Sequence, residues 1–123
     1  MSHEGVVFIV DDNEASASSI KVLLSSVGLQ AETYGSAEEF LAAFDPSRKG
    51  CLVLDMRLPG MSGLELQAEL EEQNIDLPIV FISGHVNQEE SQRAKHARAV
   101  ACLLKPFDGR QLCEIVRSVL VEC

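Results

Sequence analysis

Residues 6–14 read VVFIVDDNE and residues 51–55 read CLVLD: two short, unbroken apolar runs, each delivering carboxylates at its end. A third run, Leu77–Ser83 with IVFI at its centre, ends on a hydroxyl. Strands that are apolar at every position, rather than at alternate ones, are expected where helices cover both faces of a sheet. Working outward, Gln30–Tyr34 and Val100–Leu104 complete five candidate strands, of which Gln30–Tyr34 has the weakest pattern. Helix-period segments separate them. Ile20, Leu23, Leu24 and Val27 fall on one helical face, with Gly28 as the stop, and Leu112, Ile115, Val116, Val119 and Leu120 repeat the spacing near the C-terminus. Four helix starts carry a capping side chain with Glu or Gln three places on: Ser36/Glu39, Ser62/Glu65, Asn87/Glu90 and Asp108/Gln111. The helix expected over about 88–97, QEESQRAKHA, offers only small apolar residues for packing and is expected to be the most loosely held. Alternating strands and helices predict an α/β fold with a doubly wound parallel sheet of five strands flanked by five helices.

The chain has 123 residues, 46% of them hydrophobic, with 19 acidic against 10 basic residues and a net charge of −9. That length fits one domain, 1–123, with a core sufficient without disulfide or metal staples. An acidic surface with scattered basic residues argues against nucleic-acid and anionic-membrane binding. Met1–Gly5 does not show the basic-then-apolar pattern of a secretory leader, so neither export nor a bilayer span is expected, and the four cysteines, Cys51, Cys102, Cys113 and Cys123, form no C-x-x-C pair. The expectation is a cytoplasmic protein with reduced thiols behaving as small hydrophobes.

Asp11 and Asp12 follow the first strand, Asp55 ends the third, Ser83 ends the fourth and Lys105 follows the fifth. In a right-handed parallel sheet these positions share the carboxyl edge, where open α/β sheets bind ligands. Three carboxylates there repel, each close pair by ~4 kcal/mol at about 4 Å and an effective dielectric near 20. Hard oxygen donors select Mg2+ or Mn2+ over zinc. Lys105 adds a fixed positive charge, Ser83 a hydroxyl donor, and Asp55 is the natural nucleophile for a phosphoryl group, since carboxylates serve as covalent phosphate carriers.

With FIVDDNE (8–14), LVLDMRLPGMSGLEL (52–66), VFISGH (80–85) and LLKPF (103–107) in place, the chain resembles a receiver domain of two-component response regulators, the CheY-like, flavodoxin-like fold, in its FixJ-like form. The resemblance runs from about Val6 to Val121. It implies strand order 2-1-3-4-5, the order that characterises the CheY fold. It further implies that Asp55 is the phosphoacceptor, and that Asp12, Asp55 and the backbone carbonyl of Arg57 bind Mg2+, with Asp11 acting through a water. By the same resemblance Lys105 and Ser83 contact the phosphoryl group and the backbone amides of Met56 and Gly84 hold its oxygens. The Lys105–Pro106 bond is usually cis in this family. A sensor histidine kinase is the implied donor. The implied output is a domain or partner contacted through the fourth helix and fifth strand, commonly in transcription regulation, with phosphorylation-dependent homodimerisation left open. Such a domain catalyses its own phosphorylation and dephosphorylation but is not a turnover enzyme.

Departures from the family pattern sit on the fifth strand and just before it. Cys102 occupies the switch position where an aromatic usually moves between buried and exposed states, and a cysteine cannot fill or vacate an aromatic-sized pocket. Arg98 replaces a common glycine, and Leu104 replaces a frequent polar residue. Cys102 and Leu104 together predict an apolar edge suited to a partner. FixJ-like regulators usually continue into a helix-turn-helix domain, and none follows Cys123 in this sequence, so the chain is expected to be either a piece of a longer regulator or a stand-alone receiver.

Two other functions fit the same carboxylates. A small-molecule phosphatase would need a lid, and no segment is long enough to form one; a degenerate receiver would lack part of the chemistry, and all of it is present. Among the remaining residues, His85 reads equally as a group that orients or excludes the water hydrolysing the acyl phosphate and as an exposed loop residue, and the Arg57 side chain equally as screening the site and as solvated. Blander accounts cover His96 as surface, His3 in a terminus and Phe107 as core packing.

Overall fold

The computed structural model describes residues 5–84, 89, 92–93, 99–105 and 107–121. Five strands, β1 (Val6–Val10), β2 (Ala31–Tyr34), β3 (Gly50–Asp55), β4 (Ile79–Ser83) and β5 (Ala101–Leu104), alternate with helices α1 (Glu14–Ser26), α2 (Ala37–Ala43), α3 (Gly63–Glu72) and α4 (Gly109–Val121). All pairings are parallel, and the order is β2-β1-β3-β4-β5. The helix expected over 88–97, its Asn87/Glu90 cap, His85, His96 and Pro106 lie outside the described residues, except that Glu89, Gln92 and Arg93 are helical.

Every residue of β1, β3 and β4 is buried, which is the physical reason for their continuous apolar runs. Alternate residues feed two cores. Val6, Phe8 and Val10 pack with Leu52, Leu54, Phe81 and residues of α2 and α3. Val7 and Ile9 pack with Val53, Val80, Ile82, Leu103 and residues of α1 and α4. Burying each such side chain contributes roughly 1.5–3 kcal/mol, so the central sheet is the fixed frame on which the site is mounted. Phe107 packs on the second core, as expected.

Helix ends follow their side-chain chemistry. Ser62 accepts from the Glu65 amide at 3.1 Å, and the Glu65 carboxylate accepts from the Ser62 amide at 2.9 Å, a complete capping box. Ser36 caps the Glu39 amide, but the Glu39 carboxylate reaches one residue further back, to the Gly35 amide at 2.8 Å. Asp108 accepts from Arg110, not from Gln111. Asn13, which the sequence pattern did not single out, caps α1 through Ser16. Gly28 closes α1 at φ +85°, with the Leu29 amide donating back to the Leu24 carbonyl. Val27 is 38% exposed, outside the buried face assigned to it. β4 starts at Ile79, two residues later than expected. The chain enters it through Pro78, which has no N–H for the ladder but whose carbonyl accepts from Leu52.

Candidate functional site

Asp11 leaves β1 with its amide donated to the Tyr34 carbonyl at 3.1 Å, so the β1–β2 pairing extends to the first residue of the site. Asp11 is 2% exposed, and its Oδ1 accepts from the Asn13 amide at 2.9 Å. Asp55, the last residue of β3, is 7% exposed, and its Oδ1 accepts from the Arg57 amide at 3.0 Å. Asp12 is exposed. One carboxylate oxygen from each of Asp11, Asp12 and Asp55 lies within 4.8 Å of the others. Lys105 Nζ stands 3.5 Å from Asp11 Oδ2 and 3.4 Å from Asp55 Oδ2. At those lengths the ammonium straddles the two buried carboxylates as an ion pair more than as a tight hydrogen-bond donor.

Three carboxylates against one ammonium leave the cluster negative. Burial raises the Asp55 pKa above its ordinary value; the Arg57 amide and the charge of Lys105 oppose the shift, and the charge of Asp11 adds to it. A cluster of hard oxygens spaced so that one small ion can touch all three, with no sulfur or imidazole among them, suits Mg2+ or Mn2+.

Ser83 and Lys105 are tied through the main chain, the Lys105 amide donating to the Ser83 carbonyl at 2.7 Å. Ser83 is fully buried at the end of β4, one residue beyond the Asp55–Ile82 pair. Gly84 follows on the surface, where a Cβ would meet nothing within 4 Å. The Met56 amide is placed differently from the expectation. It donates to the Ile82 carbonyl at 2.9 Å as a sheet bond, and the amide directed at Asp55 is that of Arg57. Cys102 is exposed on β5 opposite Phe81, between Val100 (47% exposed) and Leu104 (57% exposed). The apolar strand edge expected there is present.

Of two neighbours of the site, one escaped the sequence: the glycines of Pro59-Gly60-Met61-Ser62-Gly63 are expected from the family resemblance to permit a tight backbone, whereas the Glu38 contact is not. A side chain at Gly63 would collide with the Asp55 carbonyl oxygen, so this glycine lets α3 approach the end of β3 closely. Glu38 of α2 accepts from the Met61 amide at 3.0 Å, within the loop that follows Asp55. The Glu38 contact joins residues 23 positions apart, which no local pattern reports.

The site is thus an acidic pocket with Lys105 at the carboxyl edge of a 2-1-3-4-5 sheet. The chain belongs to the response regulator receiver domain family, which its sequence matches over residues 7–117. Receiver domains bind Mg2+ at an acidic pocket, and Asp11, Asp12 and Asp55 form such a pocket here. Nodulation protein W of Bradyrhizobium diazoefficiens is 44% identical over 115 residues, covering 94% of this chain and 51% of that protein. The transcriptional regulatory protein FixJ of Azorhizobium caulinodans is 37% identical over 114 residues, covering 93% of this chain and 54% of its own. The crystal structure of FixJ-N superposes with a TM-score of 0.89 at 34% identity, covering 98% of this chain and 97% of that one. The chain spans about half the length of the curated relatives it matches. Among the described residues, no helix is long and apolar enough to cross a membrane.

Proposed function

We propose that this chain is the phosphoryl-accepting switch of a two-component regulator acting in the cytoplasm. In this reading an Asp55 carboxylate oxygen attacks the phosphorus of a phosphohistidine on a sensor kinase. The new O–P bond forms as the N–P bond breaks, and the departing imidazole nitrogen keeps the electron pair and takes up a proton. The observation that carries the reading is the meeting of Asp11, Asp12 and Asp55 within 4.8 Å, with Lys105 Nζ 3.4 Å from Asp55.

Asp12, Asp55 and the Arg57 carbonyl would hold Mg2+ or Mn2+, with Asp11 assisting through a water; the ion supplies charge stabilisation on the phosphoryl oxygens. Lys105 leaves its carboxylate partners to pair with the incoming phosphoryl group. Burial of Asp55 strips water from the nucleophile and raises its basicity. Ser83 and the Gly84 amide, at the end of β4, would follow the added charge, and the Arg57 amide, which donates to Asp55, would serve as a third donor in place of that of Met56, which donates to Ile82. A phosphoryl group brings close to two negative charges and three acceptor oxygens, sufficient to re-order neighbouring loops.

The output would pass through the segment 88–97 and β5, where Val100, Cys102 and Leu104 present apolar surface to a partner domain or a second copy. Control of transcription is the output the FixJ likeness favours. Incubation with Mg2+ and a small phosphodonor, followed by intact-protein mass measurement, tests the reading. One phosphoryl mass is expected on the wild type, none without divalent cation, and none on Asp55→Asn. A gain that survives Asp55→Asn would sink it.

A further inference from the structure

The loop that follows Asp55 is anchored at both ends by its own backbone: the Arg57 amide donates to Asp55, and the Gly63 amide to the Met56 carbonyl at 3.1 Å. Its middle, Pro59-Gly60-Met61, is gripped from another element. Glu38, in the first turn of α2, extends its carboxylate over the loop and accepts from the Met61 amide at 3.0 Å, across a separation of 23 residues. The carboxylate lies so near Gly60 that a Cβ there would come within 2.8 Å of Oε2, and Gly60 holds φ +75°, a conformation that glycine tolerates. Met61 itself is partly buried against the core cluster that includes Leu58 and Met56. The adjacent Glu39 points the other way, to the Gly35 amide, so the two neighbouring acids divide the work: one holds the chain entering α2, which Ser36 caps, and the other holds the loop.

We infer that Glu38 is a positioning residue for the cation and phosphoryl site, acting through the loop of residues 57–61 that includes Arg57. This rests on the proposed function, because it is the Arg57 carbonyl that the loop would present to the cation. A carboxylate that fixes one amide of a loop reduces the backbone freedom that must be given up when an ion is bound, so the ordering cost is met on folding. The same contact links α2 to a site to which its own residues contribute no ligand.

Three variants separate positioning from charge. Glu38→Gln keeps an acceptor oxygen at full reach and removes the charge. Glu38→Asp keeps the charge and shortens the reach by one methylene. Glu38→Ala removes both. Calorimetric Mg2+ titration is expected to show Glu38→Ala and Glu38→Asp weakened roughly three- to tenfold, the scale of one hydrogen bond net of water, with Glu38→Gln close to wild type. Amide exchange at Met61 is expected to rank the variants in the same order. Equal affinity in Glu38→Ala and wild type overturns the inference, as does a Glu38→Gln affinity that falls with the alanine variant, which would mark a through-space charge effect. Asp12→Ala is the control for the functional reading. If wild type and Asp12→Ala bind Mg2+ equally, the proposed function itself fails; if binding depends on Asp12 but not on Glu38, only this inference does.

Discussion

Asp55 is an ionisable group at the end of a strand with no exposed residue, and that placement has a consequence for stability. Its folded pKa is raised above the ordinary value of 3.8, chiefly by burial, so the folded chain holds this proton more tightly than the unfolded chain. The stabilising contribution is complete below pH 3.8 and is lost as pH rises through the folded pKa. At neutral pH the ionised carboxylate is therefore a burden on the metal-free protein. In chelator-treated buffer Asp55→Asn is expected to melt above the wild type at pH 7, with the gap closing as pH falls toward 3.8. A wild type that melts higher than Asp55→Asn at pH 7 would show that Lys105 outweighs desolvation. That Asp11, Asp12, Asp55 and Lys105 would meet was legible because chemistry-bearing residues recur at strand ends that share one edge of the sheet. The placement of the Met56 amide was not legible, since its partner, Ile82, belongs to a neighbouring strand and only the register reveals it.

Among the elements, what could be read in advance tracks how local the cause is. β1, β3 and β4 announce themselves because burial on both faces demands apolar residues throughout. β2, sequence AETY, does not, because it is an edge strand with no fully buried residue. A distant contact supports it: Arg48 bridges Glu32 with two hydrogen bonds of 3.0 and 2.9 Å and lays its guanidinium over Phe8, 5.1 Å from the ring centroid. The capping box of α3 is the opposite case, written wholly within Ser62-Gly63-Leu64-Glu65. Since it also terminates the loop after Asp55, Ser62→Ala is expected to cost about 1 kcal/mol, read as a lower denaturant midpoint with unchanged slope. A midpoint equal to that of wild type would mean that the Glu38 and Gly63 contacts hold the loop without the cap.

For the molecule as a whole, topology converts a linear string into a site. Residues as far apart as Asp11 and Lys105 meet because four parallel strands end on one edge, and the net charge of −9 includes three negative charges gathered there. Whether that edge makes an acyl phosphate is the central question, and borohydride trapping answers it at the level of one residue. Reduction of an aspartyl phosphate yields homoserine, so wild-type protein treated with Mg2+ and a small phosphodonor, reduced and then peptide-mapped, is expected to carry homoserine at position 55 and nowhere else. Conversion at another aspartate, or none at position 55 while the intact mass shows a phosphoryl group, would contradict the account.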